Sequence, residues 1–191
     1  NVIKLTHADP AMIARVVAGY SGTGLMQEFF PCPTELEDPA GTTYGGANKE
    51  AQDALRASNT ERFGYANWYD FCVNRWGTKW DVEVFPENVD PEGGSLRFSF
   101  DSAWSPPLQV YEEMIRRGYD VKAFYWEGGM GYCGKVTTVD GEMYDDYYDY
   151  SGMTAAEFAE EIDPELDECM CIIENLEMWE EENKENEEED E

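Results

Sequence analysis

Residues 96–139, LRFSFDSAWSPPLQVYEEMIRRGYDVKAFYWEGGMGYCGKVTTV, carry the order of elements that decides the fold. Three strands are predicted: Leu96–Phe100, which alternates apolar and polar side chains, and Val121–Trp126 and Tyr132–Val139, which are joined around Gly128–Gly129. Between the first two, Ser105 followed by two prolines predicts the start of a helix, and Gly118 predicts its end. The segment therefore indicates the order strand, helix, strand, strand.

The residues upstream supply the other half of the same pattern. Val2–Thr6 alternates like a strand, and Asp9–Pro10 predicts an N-cap with proline at the first helical position. Leu25–Phe30 predicts a second strand, and Trp80–Phe85 predicts the partner of the hairpin that follows. When the residues between the first helix and Trp80 are left out, including the insertion at residues 31–79, the order of the predicted elements is βαββαβ, followed by one further strand. This order predicts an α+β fold of the ferredoxin-like, split βαβ class, with an antiparallel sheet and helices on one face.

A helical insertion is predicted at residues 31–79. Residues 34–60 are polar and rich in glycine, alanine and threonine, which predicts a long loop with a short helix at Lys49–Arg56. A second helix is predicted to end at Gly77, because three apolar residues recur at helical spacing before it: Trp68, Cys72 and Trp76.

The composition changes after residue 140, and this change predicts the domain organisation. We expect a ferredoxin-like domain at 1–140, an acidic, tyrosine-rich segment with amphipathic helices at 141–182, and a disordered acidic tail at 183–191. Thr154 with Glu157 predicts a capping box, and Pro164 predicts the division between two helices. The second of these helices carries an apolar stripe that can dock on the core or on a partner: Leu166, Met170, Ile173 and Leu176.

Three motifs in order resemble a known family. Asn67–Asp81, NWYDFCVNRWGTKWD, resembles the NWYxWxxxxWGTKWD signature of the YubB-type ferredoxin-like proteins of bacterial plasmids and phages. Phe98–Pro107, FSFDSAWSPP, resembles the F-T-AWSPP segment of that family, and Gly128–Tyr132, GGMGY, matches a later glycine-rich turn. The resemblance covers roughly residues 1–140. It implies the ferredoxin-like fold and a mobile-element origin, and it implies no reaction.

The charge balance restricts the partners that this chain can bind. Forty-two acids against 13 bases give a net charge of −29, which disfavours nucleic acid and anionic lipid and favours basic surfaces. Binding of nucleic acid to the sheet would require four cations to share one face: Lys4, Arg97, Lys122 and Lys135. No stretch is long and apolar enough for a membrane helix, Asn1–Leu5 is too short for a signal peptide, and the five scattered cysteines fit free thiols. We therefore expect a cytoplasmic protein, in the cytoplasm of a host cell.

The sequence contains no arrangement typical of an enzyme, so we predict no catalytic residue, cofactor site or metal site. His7 is the single histidine and belongs to no motif, and neither a phosphate-binding loop nor a nucleophile elbow occurs. The tryptophans of the signature are interpreted as packing groups that hold helices on the sheet: Trp68, Trp76, Trp80 and Trp104.

The remaining functional signal is the concentration of carboxylates beside tyrosines. We predict that the partner-binding residues are Asp140, Glu142, Asp145, Asp146, Asp149, Glu157, Glu160 and Glu161. Carboxylates ordered on one face would imitate the phosphates of DNA, which predicts a DNA-mimicking inhibitor from a phage or plasmid that blocks a host nuclease or other DNA-binding defence protein. Two alternatives stay open: an adaptor that docks through its C-terminal amphipathic helix, and an unrecognised hydrolase with a carboxylate pair.

Overall fold

A computed structural model describes residues 1–46, 48–90 and 92–189. Within this part of the chain, six strands form one sheet. They are β1 (Val2–Thr6), β2 (Phe85–Asp90), β3 (Ser95–Ser99), β4 (Asp120–Glu127), β5 (Tyr132–Val139) and β6 (Glu142–Asp149).

The sheet has the strand order β2-β3-β1-β4-β5-β6, and every neighbouring pair is antiparallel. In the first four of these strands, β3 lies between β1 and β2, and β1 lies between β3 and β4. This is the split βαβ arrangement, so the ferredoxin-like prediction is confirmed. The two further strands extend the sheet beyond β4.

Helices fill the connections and follow the last strand. The ferredoxin-like helices and the insertion comprise α1 (Pro10–Ser21), α2 (Leu25–Phe29), α3 (Pro39–Thr42), α4 (Lys49–Phe63), α5 (Trp68–Arg75) and α6 (Leu108–Arg116). After β6 come α7 (Ala155–Phe158), α8 (Pro164–Met170) and α9 (Ile172–Glu189). None of these helices is both long enough and apolar enough to cross a lipid bilayer.

The main core lies between one face of the sheet and the helices α1, α2, α5 and α6. Ile3 and Leu5 of β1 are fully buried there, whereas Lys4 between them is exposed on the other face. Tyr111 and Met114 of α6 are fully buried against the same face. The alternation that predicted β1 therefore has its expected cause, a strand with one face on the core.

The prediction of a strand at Leu25–Phe30 is wrong, because these residues form α2. The carboxylate of Asp81 accepts hydrogen bonds from the backbone N–H groups of Met26 at 2.9 Å and Gln27 at 3.0 Å. A negative group that satisfies the first free N–H groups stabilises the start of a helix. Gly24 precedes it with φ of 124°, and a Cβ there would lie 2.1 Å from an oxygen of Asp81.

The strand predicted at Trp80–Phe85 is also misplaced, since β2 begins at Phe85 and runs to Asp90. Asp81 is held at the start of α2 and cannot follow the sheet edge. Residues 86–90, which follow the predicted end of that strand at Phe85, therefore belong to β2. In the insertion, the predicted loop at 34–60 contains a 3₁₀ helix at Thr34–Glu37, the short α3, and most of α4, which continues to Phe63.

The predicted N-cap at Ser105 is wrong by two residues, because α6 begins at Leu108 with Pro107 at its N-cap. The hydroxyl of Ser105 instead donates to the carbonyl oxygen of Gly77 at 2.5 Å. Two later predictions are confirmed. Thr154 and Glu157 form the capping box of α7, and Pro164 begins α8.

The sheet continues past residue 140, the predicted end of the ferredoxin-like domain, because the acidic, tyrosine-rich segment forms β6. The helices α7–α9 then pack on the face of the sheet opposite to α1 and α6, around a second core that includes Phe124, Phe158 and Leu166. Helices therefore cover both faces of the sheet instead of one. The helix α9 extends to Glu189 through most of the segment 183–191, for which disorder was expected, and residues 190–191 of that prediction lie outside the described residues.

Candidate partner-binding surface

The negative charge is concentrated in one structural unit, which we call the acidic layer: residues 140–189, with β6 and α7–α9. The acidic layer contains 21 acids and one base, whereas residues 1–139 contain 19 acids and 12 bases. The layer therefore carries a net charge of −20 and the rest of the described fold carries a small fraction of the total. The negative charge is therefore distributed unevenly over the molecule. It lies along one edge of the sheet, where β6 is the edge strand, and on the face that α7–α9 cover.

Strand alternation distributes the predicted carboxylates of β6 over both faces of the sheet. Asp146 pairs with Lys135 and points to the same side as α7–α9, as does Glu142. Asp145 and Asp149 point to the opposite side. Asp140 lies in the turn before β6 with φ of 54°. The five carboxylates therefore surround the sheet edge and do not form a single flat face.

Asp145 is held by a hydrogen bond from a side chain of the main core. The hydroxyl of Tyr125 donates a hydrogen bond to its carboxylate at 2.7 Å. Burial raises the pKa of Asp145, although the hydrogen bond from Tyr125 acts in the opposite direction. Asp149 instead accepts bonds from the backbone N–H and the hydroxyl of Ser151, which lower its pKa.

The three predicted residues near α7 have different roles. Glu157 closes the capping box, and its hydrogen bonds from the backbone and hydroxyl of Thr154 lower its pKa. Glu160 and Glu161 are exposed and line a surface depression together with Met153. These two carboxylates are therefore available to a partner, whereas Glu157 also has a structural task.

Two carboxylates at the start of α8 attach this helix to the sheet. Asp163 accepts a hydrogen bond from the ammonium of Lys135 at 2.8 Å, and Glu165 lies 3.1 Å from the same ammonium. Glu165 also forms an ion pair with Lys122. The hydrogen bonds from Lys122 and Lys135 lower the pKa of Glu165. These carboxylates are occupied within the molecule.

The four cations that nucleic-acid binding would require do share one face of the sheet. Lys4 of β1 is in register with Arg97 of β3 on one side and with Lys122 of β4 on the other. However, Arg97 pairs with Glu87, and both Lys122 and Lys135 pair with α8. Within the described chain, Lys4 alone of the four has no ion pair, so this face does not form a free basic surface.

The prediction that the signature tryptophans pack in the core is correct for Trp76 and wrong for two others. Trp76 is buried, and its indole N–H donates to the carbonyl oxygen of Phe30 at 2.9 Å. In contrast, Trp80 is 52% exposed and Trp104 is 61% exposed. Both flank the ammonium of Lys79, which lies 4.7 Å from the Trp80 ring and 5.2 Å from the Trp104 ring.

Hydrogen bonds between the first two motifs hold this arrangement. The hydroxyl of Thr78 accepts from the backbone N–H of Ala103 at 2.9 Å, and Ser105 donates to Gly77 as described above. Trp104 has φ of 68°, a backbone conformation that is rare for a side chain of this size. Of the three tryptophans, Trp76 alone belongs to a helical apolar stripe in the sequence, and the exposure of Trp80 and Trp104 was missed because their membership of the motifs was taken as evidence of packing.

The side chains that most often hold metal ions are dispersed in the part of the chain that the structure describes. Within residues 1–46, 48–90 and 92–189, no three His, Cys, Asp or Glu side chains are grouped so that they could hold a metal ion. His7 contacts its own loop, where its Nδ1 accepts from the backbone N–H of Asp9 at 2.9 Å.

Comparison with known proteins supports the same fold. Residues 75–165 match the family model described as "Ferredoxin-like domain in Api92-like protein". The matched segment contains β2–β6, α6 and α7. No curated protein matches the chain. The match confirms a ferredoxin-like domain, while the narrower YubB-type assignment stays a prediction.

One solved structure with similarity is a crystal structure of a protein Api92 from Yersinia pseudotuberculosis. It shares 22% sequence identity with this chain at a TM-score of 0.37. The similarity covers 46% of this chain and 32% of that protein, so this chain corresponds to about a third of its length.

Proposed function

We propose that this protein is a non-catalytic inhibitor whose acidic layer occupies the DNA-binding cleft of a basic host protein. The target would be a nuclease or another DNA-binding defence component. The observation that supports this proposal is the net charge of −20 in the 50 residues 140–189. Such a field accelerates the encounter with a cationic cleft and orients the two proteins.

The spacing of carboxylates along α9 also favours mimicry of a phosphate backbone. Six of the 15 residues 172–186 of this helix are glutamates. At a rise of about 1.5 Å per residue this part of the helix presents one carboxylate per roughly 4 Å of its axis. One strand of duplex DNA presents one phosphate per about 3.4 Å. A cleft that is lined by lysine and arginine for DNA can therefore contact comparable charge density on α9.

The motif resemblance gives this inhibitor a biological setting. Phages and plasmids enter cells that defend themselves with DNA-cleaving and DNA-binding proteins. An acidic protein encoded by such an element would act in the host cytoplasm. The adaptor alternative is less favoured, because most of the apolar stripe of α8 and α9 packs inside the molecule. Leu166 is fully buried in the second core, and Ile173 and Leu176 pack against it.

The proposal is tested with immobilised protein and host lysate. DNA-binding proteins should be retained, should elute with salt, and should be displaced by duplex DNA. A variant with four exposed carboxylates of the acidic layer changed to amides should retain much less: Glu142→Gln, Asp146→Asn, Glu160→Gln and Glu161→Gln. Deletion of 157–191 is a poor test, because it would uncover Phe124 and Cys133 of the second core.

The matched control removes the same charge from exposed residues outside the layer: Glu50→Gln, Glu61→Gln, Glu83→Gln and Glu92→Gln. Retention by this control should stay near that of the wild type. Equal weakening by both variants would show that net charge alone attracts the retained proteins. That result, or retention of proteins that DNA does not displace, would contradict mimicry.

A further inference from the structure

A surface groove lies between the glycine-rich turn at 128–131 and the helix α9. It has a volume of about 570 Å³. Its apolar lining, which defines what we call the Met–Trp groove, comprises Trp126, Met130, Met153, Leu176 and Trp179. The two sides come from the β4–β5 turn and from a helix about 50 residues later in the chain, so the groove exists only in the folded protein.

The rim of the Met–Trp groove leaves large apolar side chains in water. Met130 is 66% exposed and Trp179 is 62% exposed. Contiguous exposed apolar surface of this kind marks interaction sites in soluble proteins. Methionine adapts its shape to different apolar partners, and tryptophan supplies a large contact area when it is covered.

The floor of the groove is preformed. The indole N–H of Trp126 donates to the hydroxyl of Tyr150, and the Tyr150 ring stacks on Phe158 with centroids 4.8 Å apart. The glycine turn lies directly against the end of β6, since a Cβ on Gly131 would be 3.1 Å from the backbone of Ser151. A ligand would therefore meet a rigid floor and pay little for ordering it.

Carboxylates surround this apolar lining. Glu127 lies at the glycine turn, where it accepts a hydrogen bond from the backbone N–H of Met130. On the other side, Met153 also lines the depression that contains Glu160 and Glu161. Glu182 follows Trp179 by one helical turn on the same side of α9. An occupant must therefore combine apolar anchors with positive charge around them.

We propose that the Met–Trp groove binds a cationic amphipathic helix of the partner protein. This inference rests on the proposed function, because the same acidic layer forms the rim. Helices with apolar anchors at i, i+3/i+4 and i+7 insert into such grooves, and lysines beside the anchors would meet the carboxylates. A second copy of this chain is disfavoured because two acidic layers repel each other, and an anionic membrane is repelled for the same reason.

The probe is a synthetic, fluorescently labelled peptide of about four helical turns that contains leucine and lysine with the leucines at helical spacing. A scrambled peptide of the same composition has the same charge and no apolar face. Fluorescence anisotropy should show at least about tenfold tighter binding of the amphipathic peptide, since each anchor that enters an apolar site contributes more than the 1.4 kcal/mol of a tenfold change. Circular dichroism should show that this peptide gains helix on binding.

Matched double variants locate the site. Met130→Ala with Trp179→Ala should weaken the amphipathic peptide about tenfold or more. The control combines Met178→Ala with Trp104→Ala, which are 55% and 61% exposed and lie outside the groove. This control should leave the affinity unchanged.

The alternatives give different results. If the amphipathic and scrambled peptides bind equally, and the two double variants have equal affinities, charge attraction alone explains the binding. This result overturns the inference and leaves the proposed function intact. Equal binding of a peptide with glutamine in place of lysine would overturn a cationic partner. Sedimentation that shows a dimer, lost on Trp179→Ala, would assign the groove to a second copy. The proposed function is tested separately by the lysate experiment, in which the four-carboxylate variant should lose its DNA-binding targets and the matched control variant should keep them.

Discussion

The ammonium of Lys135 lies 2.8 Å from a carboxylate oxygen of Asp163 and so ties the start of α8 to β5. The other oxygen of Asp163 accepts from the backbone N–H groups of Glu165 at 2.9 Å and Leu166 at 3.0 Å. Burial works against the ionised form, yet the bonds from Lys135 and the helix hold the pKa of Asp163 below its usual value. One carboxylate therefore begins the helix and attaches it to the sheet.

We expect Lys135→Gln to loosen this attachment. Both side chains are largely covered, at 15% and 26% exposed, so the loss should exceed that of a surface ion pair and amount to about 1–2 kcal/mol of unfolding free energy. Amide hydrogen exchange should accelerate in α8 more than in α6. The control is Lys4→Gln, an exposed lysine on the same sheet face without an ion pair in the described chain. Equal effects of the two substitutions would contradict the role of the Lys135–Asp163 pair.

Glu113 should make the stability of the protein depend on pH at the acid end. Hydrogen bonds from Arg116 lower its pKa from 4.5 to about 2, burial opposes this shift, and Arg117 adds to it. Because the folded pKa is the lower one, the stabilisation is complete above about pH 4.5 and is lost as the pH falls through about 2.

The substitution Glu113→Gln should therefore lower the unfolding free energy at pH 7 by about 2–3 kcal/mol. The difference from the wild type should shrink between pH 4.5 and pH 2 in urea titrations. Glu112→Gln, at the exposed neighbouring position, should change the unfolding free energy by less than about 0.5 kcal/mol at any pH. A gap for Glu113→Gln that stays constant with pH would show that the carboxylate charge is not its source.

Local patterns were sufficient where an element has one face on the core. This is the case for β1, where Ile3 and Leu5 alternate with polar residues, and for α1, which Asp9 caps as its sequence indicates. They were insufficient where a distant residue decides. Leu25–Phe29 is a helix because Asp81, more than 50 residues later, binds its first N–H groups. In β6 the tyrosines and acids occur on both faces, so no period of two is visible.

The candidate surface was predictable in its charge and not in its shape. A count of acids locates the acidic layer, but the sides to which Asp145 and Asp146 point follow from the pairing of β6 with β5. The Met–Trp groove depends on Met130 and Trp179, which are far apart in the chain and share no motif. Such tertiary juxtapositions leave no signal in a single sequence.

Truncation of Trp76 should lower the unfolding free energy far more than truncation of Trp104, although both residues belong to the family motifs. Trp76→Ala removes a buried ring and leaves the carbonyl oxygen of Phe30 without its donor, so we expect a loss of about 3–5 kcal/mol. Trp104→Gly removes an exposed ring from a position with φ of 68°, which glycine adopts without strain. Its unfolding free energy should stay within about 1 kcal/mol of the wild type. A large loss for Trp104→Gly in urea unfolding would mean that its contact with Lys79 stabilises the fold.

Replacement of Gly134 in β5 should destabilise the protein, because the Tyr125 side chain crosses this residue. A Cβ at this position would lie 2.2 Å from the hydroxyl oxygen and 2.3 Å from the ring carbon that bears it. Gly134→Ala must displace the ring and break the bond from Tyr125 to Asp145, which should cost about 1–3 kcal/mol. Gly129→Ala is the control, since its closest neighbour is the end of the flexible Glu127 side chain at 3.4 Å.

A double-mutant cycle with Tyr125→Leu separates the clash from the intrinsic cost of replacing a glycine. The smaller side chain makes room for the new methyl group, so Gly134→Ala should cost less in the Tyr125→Leu background than in the wild type. We expect a coupling of about 1 kcal/mol or more, as for residues in direct contact. If the two substitutions have additive effects on the unfolding free energy in urea, contact with Tyr125 is not the reason that position 134 requires glycine. In that case the orientation of Asp145 toward the core side would be set by the β5–β6 pairing alone.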